Sequence, residues 1–276
     1  MRRRDFIQQV SLGAMAIPVV YSEIPKRRKN IGVQLYSVRV EMNQDPKGTL
    51  ARLAKMGYNQ IESYRSNKGL FSGLKPKEMA QACKDLGMTL RSGHVHVDKD
   101  WLKTLDLVAE SGQEYVICSS MPTSGQTINN YREVADTFNK CGEQCVTRGL
   151  KFGYHNHEYE FETADGQILY DILLKNTDPK LVHMELDLGW VIVAGKKPED
   201  YFNNYPGRFP LWHLKDMNLA EKQSTEFGKG QLDILGMLQS HKRSGMKYFF
   251  IEQEEYGKEA YDSLEYDINF YKKLKW

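Results

Sequence analysis

The chain has 276 residues, 41% of them hydrophobic. That supplies one large core, of the size at which an α/β barrel is a single domain. The 38 basic and 36 acidic residues leave a net charge of +2, so no basic field marks the chain as a nucleic-acid binder. Its four cysteines, Cys83, Cys118, Cys141 and Cys145, include no pair with zinc-knuckle or redox spacing.

Residues 1–29 read as an export signal and linker. Met1-Arg-Arg-Arg4 is basic, the run 10–20 is weakly apolar, and Ala14-Met-Ala16 has the form of a cleavage site. The twin-arginine-like character implies a periplasmic protein, and a cytoplasmic one if these residues are only a ragged basic start. No cysteine follows the apolar run, and no later run approaches the roughly 20 apolar residues of a membrane span, so no membrane anchor is expected in the mature chain.

From residue 30 to 276, short apolar strands alternate with amphipathic helices. A strand over 31–36 precedes a helix over 46–56, with Asp45 as N-cap, Pro46 at the first helical position and Gly57 as the stop. Strand 58–63 leads to helix 76–86, ending at Gly87. Strand 88–94, helix 101–110, strand 114–119 and a long helix over 128–148 follow. The second half repeats the pattern: strand 150–155, helix 166–175, strand 181–187, short helix 198–203, strand 209–215, helix 232–244, strand 248–252 and helix 259–274. Eight strand–helix units imply parallel strands with right-handed crossovers, and in about 250 residues they point to a single-domain (β/α)8 TIM barrel. A doubly wound open sheet is the alternative, but no glycine-rich phosphate turn follows the first strand.

Side chains alternate along a strand, and barrel chemistry sits at the C-terminal strand ends. One face carries Gln34 and Tyr36 on the first strand, Gln60, Glu62 and Tyr64 on the second, and Ser92, His94 and His96 on the third. The fifth contributes Gly153, His155 and His157, the sixth His183, Glu185 and Asp187, and the seventh His213 and Lys215. On the eighth, Glu252 and Glu254 share a side with Phe250. The fourth, ending in Cys118, Ser119 and Ser120, is uninformative. Ionisable groups inside a barrel are costly unless satisfied, so a polar inward ring argues for a site.

Within the ring, His155 (or His157), Asp187, His213 and Glu252 are candidate metal ligands from four consecutive strands. Singly, each could serve as a cap or a salt-bridge partner. Together they form a mixed imidazole–carboxylate set suited to one divalent ion of Mn, Co, Zn or Fe, with Mg²⁺ ranking behind and Ca²⁺ fitting poorly.

Ile31-Gly-Val-Gln-Leu-Tyr-Ser-Val-Arg39, Tyr154-His-Asn-His157, Leu186-Asp-Leu-Gly-Trp190, Pro206-Gly-Arg-Phe-Pro-Leu-Trp-His-Leu-Lys-Asp216 and Gly228-Lys-Gly-Gln-Leu-Asp233 resemble the sugar phosphate isomerase/epimerase family. That family belongs to the xylose-isomerase-like barrels, with ketose 3-epimerases, inosose dehydratases and barrel-type apurinic endonucleases. The resemblance covers residues 31–276 and implies a metal-dependent enzyme acting on a keto sugar or keto polyol through a stabilised enediolate.

In the ketose epimerases the metal is held by Glu, Asp, His and Glu. The matching positions here are His155, Asp187, His213 and Glu252, so the first glutamate is replaced and its acid–base role falls to Glu158, Glu160 or Lys215. The resemblance makes His155 the ligand rather than His157, which remains a catalytic candidate beside Glu252 as base and Lys215 as oxyanion stabiliser. Gln34, Tyr36, Glu62 and His94 become substrate-binding candidates, and Trp190 a platform for a sugar face.

Isomerase/epimerase is the leading expectation. A lyase of the inosose-dehydratase or 3-keto-glycoside-cleaving type is the runner-up. A non-catalytic sugar-binding barrel and an apurinic-site nuclease are the remaining alternatives, and the nuclease is disfavoured by the low net charge and only seven histidines. The expected partner is a small sugar, and a homo-oligomer is compatible with the chain.

Overall fold

The structure, a computed structural model, describes residues 30–276; the expected export signal lies outside them. Eight parallel strands close into a barrel in the order β1-β8-β7-β6-β5-β4-β3-β2. They are β1 (Gly32–Gln34), β2 (Gln60–Tyr64), β3 (Thr89–Val95), β4 (Tyr115–Cys118), β5 (Lys151–His155), β6 (Val182–Asp187), β7 (Leu211–Leu214) and β8 (Tyr248–Ile251). Among the described residues no helix is long and apolar enough to cross a membrane.

The principal helices are α1 (Pro46–Met56), α2 (Pro76–Asp85), α3 (Trp101–Ser111), α4 (Ile128–Val146), α5 (Leu169–Asn176), α6 (Pro198–Asn204), α7 (Ile234–Gln239) and α8 (Ala260–Lys273). Local chemistry sets their ends. Asp45 accepts the Gly48 N–H at 3.0 Å beside Pro46, and Gly57 ends α1 at a φ of 113° that favours glycine. Thr127 caps α4 through the Asn130 N–H at 3.2 Å.

Several expectations need correction. The first strand stops at Gln34, because the backbone turns into a 3-10 segment, Leu35–Val38, when the Gln34 carbonyl oxygen of the side chain accepts the Tyr36 N–H at 3.0 Å. The helix expected over 232–244 is broken into Ile234–Gln239 and His241–Ser244. The helix expected from 166 begins at Leu169, after a small hairpin of Thr163–Ala164 and Gln167–Ile168. A helix at Leu188–Val193, directly after β6, had no separate sequence signal.

The lumen has two levels. At the lower one, Tyr115, Ile117, Leu211 and Phe250 are fully buried in an apolar cluster of their own, so β4 fills the barrel floor instead of the site. Two glycines make room for them. A Cβ at Gly153 would lie 2.7 Å from the Ile117 side chain, and one at Gly32 would lie 2.6 Å from the Phe250 ring and strike the Phe249 carbonyl. Above this plug the inward face turns polar.

The strands are staggered, as closure of a tilted barrel requires. His155 pairs with Glu185 across β5–β6, and Asp187 with His213 across β6–β7. Glu185 therefore stands at the level of His155, one layer beneath Asp187.

Candidate active site

The C-terminal strand ends open into a cavity of about 320 Å³ lined by Tyr36, Tyr64, Arg65, His94, His96, Ser119, His155, His157, Trp190, Glu252 and Glu254. That volume lies at the small end of ligand sites and suits a sugar rather than a polymer.

At its floor, His155, Asp187, His213 and Glu252 converge, each buried. His155 Nε2 lies 3.3 Å from Asp187 Oδ2 and 3.0 Å from His213 Nδ1, which is 2.8 Å from Glu252 Oε2 and 3.6 Å from Asp187 Oδ2. A four-coordinate ion with bonds of about 2.1 Å spaces its ligands by roughly 3.4 Å, so the four groups fit a transition-metal or zinc ion. His155 Nδ1 finds no hydrogen-bond partner among the described residues.

Local folding fixes these groups. Asp187 Oδ1 accepts the Trp190 N–H at 3.0 Å, starting the Leu188–Val193 helix and bringing the Trp190 ring over the cavity. The Asn156 side chain bridges β5 to β6, its oxygen accepting the Asp187 N–H at 3.0 Å. After β7, the Asp216 carboxylate accepts N–H groups of Met217, Gly228, Gly230 and Leu232 at 2.8–3.1 Å. This clamp explains the spacing of Gly228 and Gly230 to Asp216. Gly228 has a φ of 79°, and a Cβ at Gly230 would sit 2.6 Å from the Asp216 carboxyl carbon.

Lys215 is fully buried. Its Nζ lies 2.9 Å from Asp187 Oδ2, 2.8 Å from Glu252 Oε2 and 2.8 Å from Glu254 Oε1, with the Trp190 ring centroid 5.3 Å away. Burial alone would raise the carboxyls of Asp187 and Glu252, but the Lys215 charge outweighs it and holds both well below the usual carboxylate range. The same carboxylates overcome the burial of Lys215 and push its ammonium up. The two ligand imidazoles differ. Burial, then the His213 charge, lowers His155, leaving it neutral; Glu252 and Glu185 overcome burial and raise His213.

Beneath lies a second polar layer. His213 Nε2 is 2.6 Å from Glu62 Oε1 and 3.5 Å from Glu185 Oε2, and His94 Nε2 is 2.8 Å from Glu185 Oε2 and 3.3 Å from Glu62 Oε1. Gln34 Nε2 donates to Glu62 Oε1 at 2.7 Å, and the Ser92 hydroxyl donates to Glu62 Oε2. Burial, then the charge of Glu62, raises Glu185 to about 7. Burial opposes protonation of His94, yet Glu62 and Glu185 raise it to about 9.

Of the residues singled out from sequence, His155, Asp187, His213, Glu252 and Lys215 come together, and Tyr36, His94, His157 and Trp190 line the cavity. Gln34 and Glu62 are fully buried and hydrogen-bonded within the lower layer, beneath the cavity. His157 stands apart from the four-residue set, stacked on Tyr159 with ring centroids 5.3 Å apart. Glu160 is buried and accepts from the Tyr154 hydroxyl and, at 2.8 Å, from the His157 N–H. Glu158 does not line the cavity. Alternation along the strands turns Glu185 and Glu254 inward without assigning either a role. Arg65, bound to Asp98 at 2.8 Å, follows its strand and carried no periodic signal.

The sequence profile of the xylose isomerase-like TIM barrel family matches residues 50–274. Among solved structures, a sugar phosphate isomerase/epimerase from Parabacteroides distasonis is similar at a TM-score of 0.80 and 26% identity, covering 89% of this chain and 98% of that one. The IOLI protein, solved with a bound zinc atom, shares the fold at a TM-score of 0.69 and 14% identity, over 89% of this chain and 96% of that one. Among curated proteins, an inosose dehydratase from Clostridium beijerinckii is 28% identical over 47% of this chain and 48% of its own length. The match to this relative thus spans about half its length.

Proposed function

The chain belongs to the xylose isomerase-like TIM barrel family, and from that premise we propose that it is a divalent-metal-dependent isomerase or epimerase acting on a keto sugar or keto polyol. The observation that carries this reading is the buried set His155, Asp187, His213 and Glu252 at the floor of a sugar-sized cavity, with Lys215 beside it. These four residues would hold the cation, which when bound supplies a Lewis acid for a carbonyl oxygen and its neighbouring hydroxyl.

The chain's own groups do the rest. Trp190, Tyr36 and Tyr64 offer apolar faces to the sugar. Glu252, ionised and at the cavity wall, accepts the proton from the carbon α to the carbonyl. Lys215 remains a cation and donates to the oxygen on which charge develops. Glu254, at the open end of the Lys215 pair, exchanges protons with Glu252 through that ammonium and with the substrate. Return of the proton to the adjacent carbon, with the hydroxyl proton passing from one oxygen to the other, completes an isomerisation, and return to the same carbon from the other side an epimerisation.

A lyase is the second reading, supported by the partial matches to inosose dehydratases and by imidazoles, His155 and His157, on the β5 wall where an acid–base carboxylate is expected. There, a β-leaving group departs with a proton from His157 or Glu254 in place of reprotonation at carbon.

The test is incubation of the zinc-, manganese- or cobalt-loaded protein with a panel of keto sugars and 3-keto-glycosides in D2O, followed by NMR. Deuterium at the α carbon with a moved carbonyl or inverted centre supports the leading reading. Loss of water or aglycone gives the second. Sugar binding without exchange, unaltered in Glu252→Gln, overturns both.

A further inference from the structure

His213 is the hinge between two sets of ligating atoms. Its Nδ1 faces the cavity-floor set, and its Nε2 faces a separate group made of Glu62, His94 and Glu185. We propose that Glu62, His94, Glu185 and the Nε2 edge of His213 form a second, deeper divalent-cation site, so that the chain holds two cations bridged by one imidazole.

Geometry is the first support. Around the ring of four atoms, the separations are 2.8 Å (His94 Nε2 to Glu185 Oε2), 3.5 Å (Glu185 Oε2 to His213 Nε2), 2.6 Å (His213 Nε2 to Glu62 Oε1) and 3.3 Å (Glu62 Oε1 to His94 Nε2). Two of these are near the roughly 3.4 Å spacing around a tetrahedral ion, and the 2.8 and 2.6 Å pairs would have to open by about 0.6 and 0.8 Å. The four atoms come from β2, β3, β6 and β7, so the ion would tie together strands that are distant in sequence.

The second support is an unmet demand. Glu185 is fully buried, and its Oε1 has no hydrogen-bond partner among the described residues. A buried carboxylate oxygen left in this way is costly, and a cation held by Glu185 through both of its oxygens would meet that demand.

The third is composition. Two imidazole nitrogens and two carboxylates make a neutral site with a divalent ion, and that donor set favours zinc, cobalt or iron over calcium. Glu62 is held in place by Gln34 and Ser92, the outer hydrogen bonds that orient a metal-binding carboxylate. Holding both ions would require His213 to offer both ring nitrogens, so both of its ring protons would have to pass to solvent and the two sites would share one additional negative charge.

The experiment is cation stoichiometry on the full chain, independent of any substrate. The protein is stripped with chelator, titrated with Zn²⁺ or Co²⁺ alone, dialysed and analysed for metal. Two equivalents per chain are expected in the wild type. One should remain in Glu185→Gln and in His94→Gln, and one in Asp187→Asn, whose loss lies in the upper set. Circular dichroism confirms that each variant is folded, and an anomalous difference map should show two peaks flanking His213. A single equivalent in the wild type overturns the proposal. So do two equivalents that survive both deep substitutions, or loss of both in Asp187→Asn. Failure of the sugar reactions leaves the stoichiometry intact, so the two proposals fail separately.

Discussion

Lys215→Met removes the one ammonium among the carboxylates at the barrel mouth. Lys215 Nζ meets Asp187, Glu252 and Glu254 at 2.8–2.9 Å, and it is fully buried. Methionine keeps the volume of the stem and deletes the charge. Asp187 and Glu252, also buried, then lose the cation that holds them ionised. Breaking a buried pair from one side costs about 3–5 kcal/mol. Since about 1 kcal/mol shifts Tm by roughly 2–4 °C in a chain of this size, the variant should melt roughly 6–20 °C lower in EDTA at neutral pH. With excess zinc the deficit should shrink, because the ion replaces the lost positive charge and binds more tightly once Lys215 no longer competes for the same oxygens. The assay is paired thermal and urea unfolding of wild type and variant, with EDTA and with zinc. A loss below about 1 kcal/mol in EDTA, or an equal loss in both conditions, would refute the claim that Lys215 and a cation share these carboxylates.

Three further outcomes follow from the same geometry. In EDTA, stability should decline as pH rises above about 6.5, where Asp187, Glu252 and His155 no longer change their protonation on unfolding. Glu185, raised to about 7, favours the folded state less between pH 4.5 and 7, and His94, raised from 6.5 to about 9, gives stability present below pH 6.5 and lost by pH 9. The His94 part amounts to about 3 kcal/mol, and His94→Gln should flatten the upper limb of an unfolding series. Asp187→Asn keeps a carbonyl acceptor for the Trp190 N–H, so it should fold while weakening the upper cation site by more than roughly 100-fold in a chelator competition; undiminished affinity would remove Asp187 from the ligand set. Gly32→Ala drives a methyl into the Phe249 carbonyl and the Phe250 ring and should cost at least about 1–3 kcal/mol, whereas Gly149→Ala, which meets nothing within 4 Å, should show only the smaller strain of its positive φ in the same denaturation assay.

The barrel was legible because period-two strands and glycine-ended helices are local signals. The inward face was legible for the same reason: the alternation that brought out His155, Asp187, His213 and Glu252 also turned Glu62, Glu185 and Glu254 inward. Height was not legible. The stagger that puts His155 level with Glu185 is a property of closure, set by hydrogen bonds between strands and not by any one strand's pattern. Alternation alone thus makes Gln34 and Glu62 substrate candidates, and the structure places them in the layer beneath the cavity. The Leu188–Val193 helix escaped because its start depends on one oxygen of Asp187, a residue whose other oxygen gave it a reading as a ligand.

The distribution of acids around the cavity bears on the reaction more than their number does. Glu252 and Glu254 both rise from the end of β8 and are joined through Lys215, so the carboxylate proton traffic is confined to one wall. Across the cavity, β5 offers His155 in the ligand set and His157 against Tyr159. Moving a proton between adjacent carbons on one face needs only the β8 wall. Inverting a carbon needs a donor on the opposite face, where His157 is the titratable group of β5 free of the four-residue cluster. Expelling a leaving group needs an acid near the departing oxygen, which either wall supplies. On the proposed reading, the imidazoles of this wall would serve an inversion or an elimination, and the β8 carboxylates a transfer along one face.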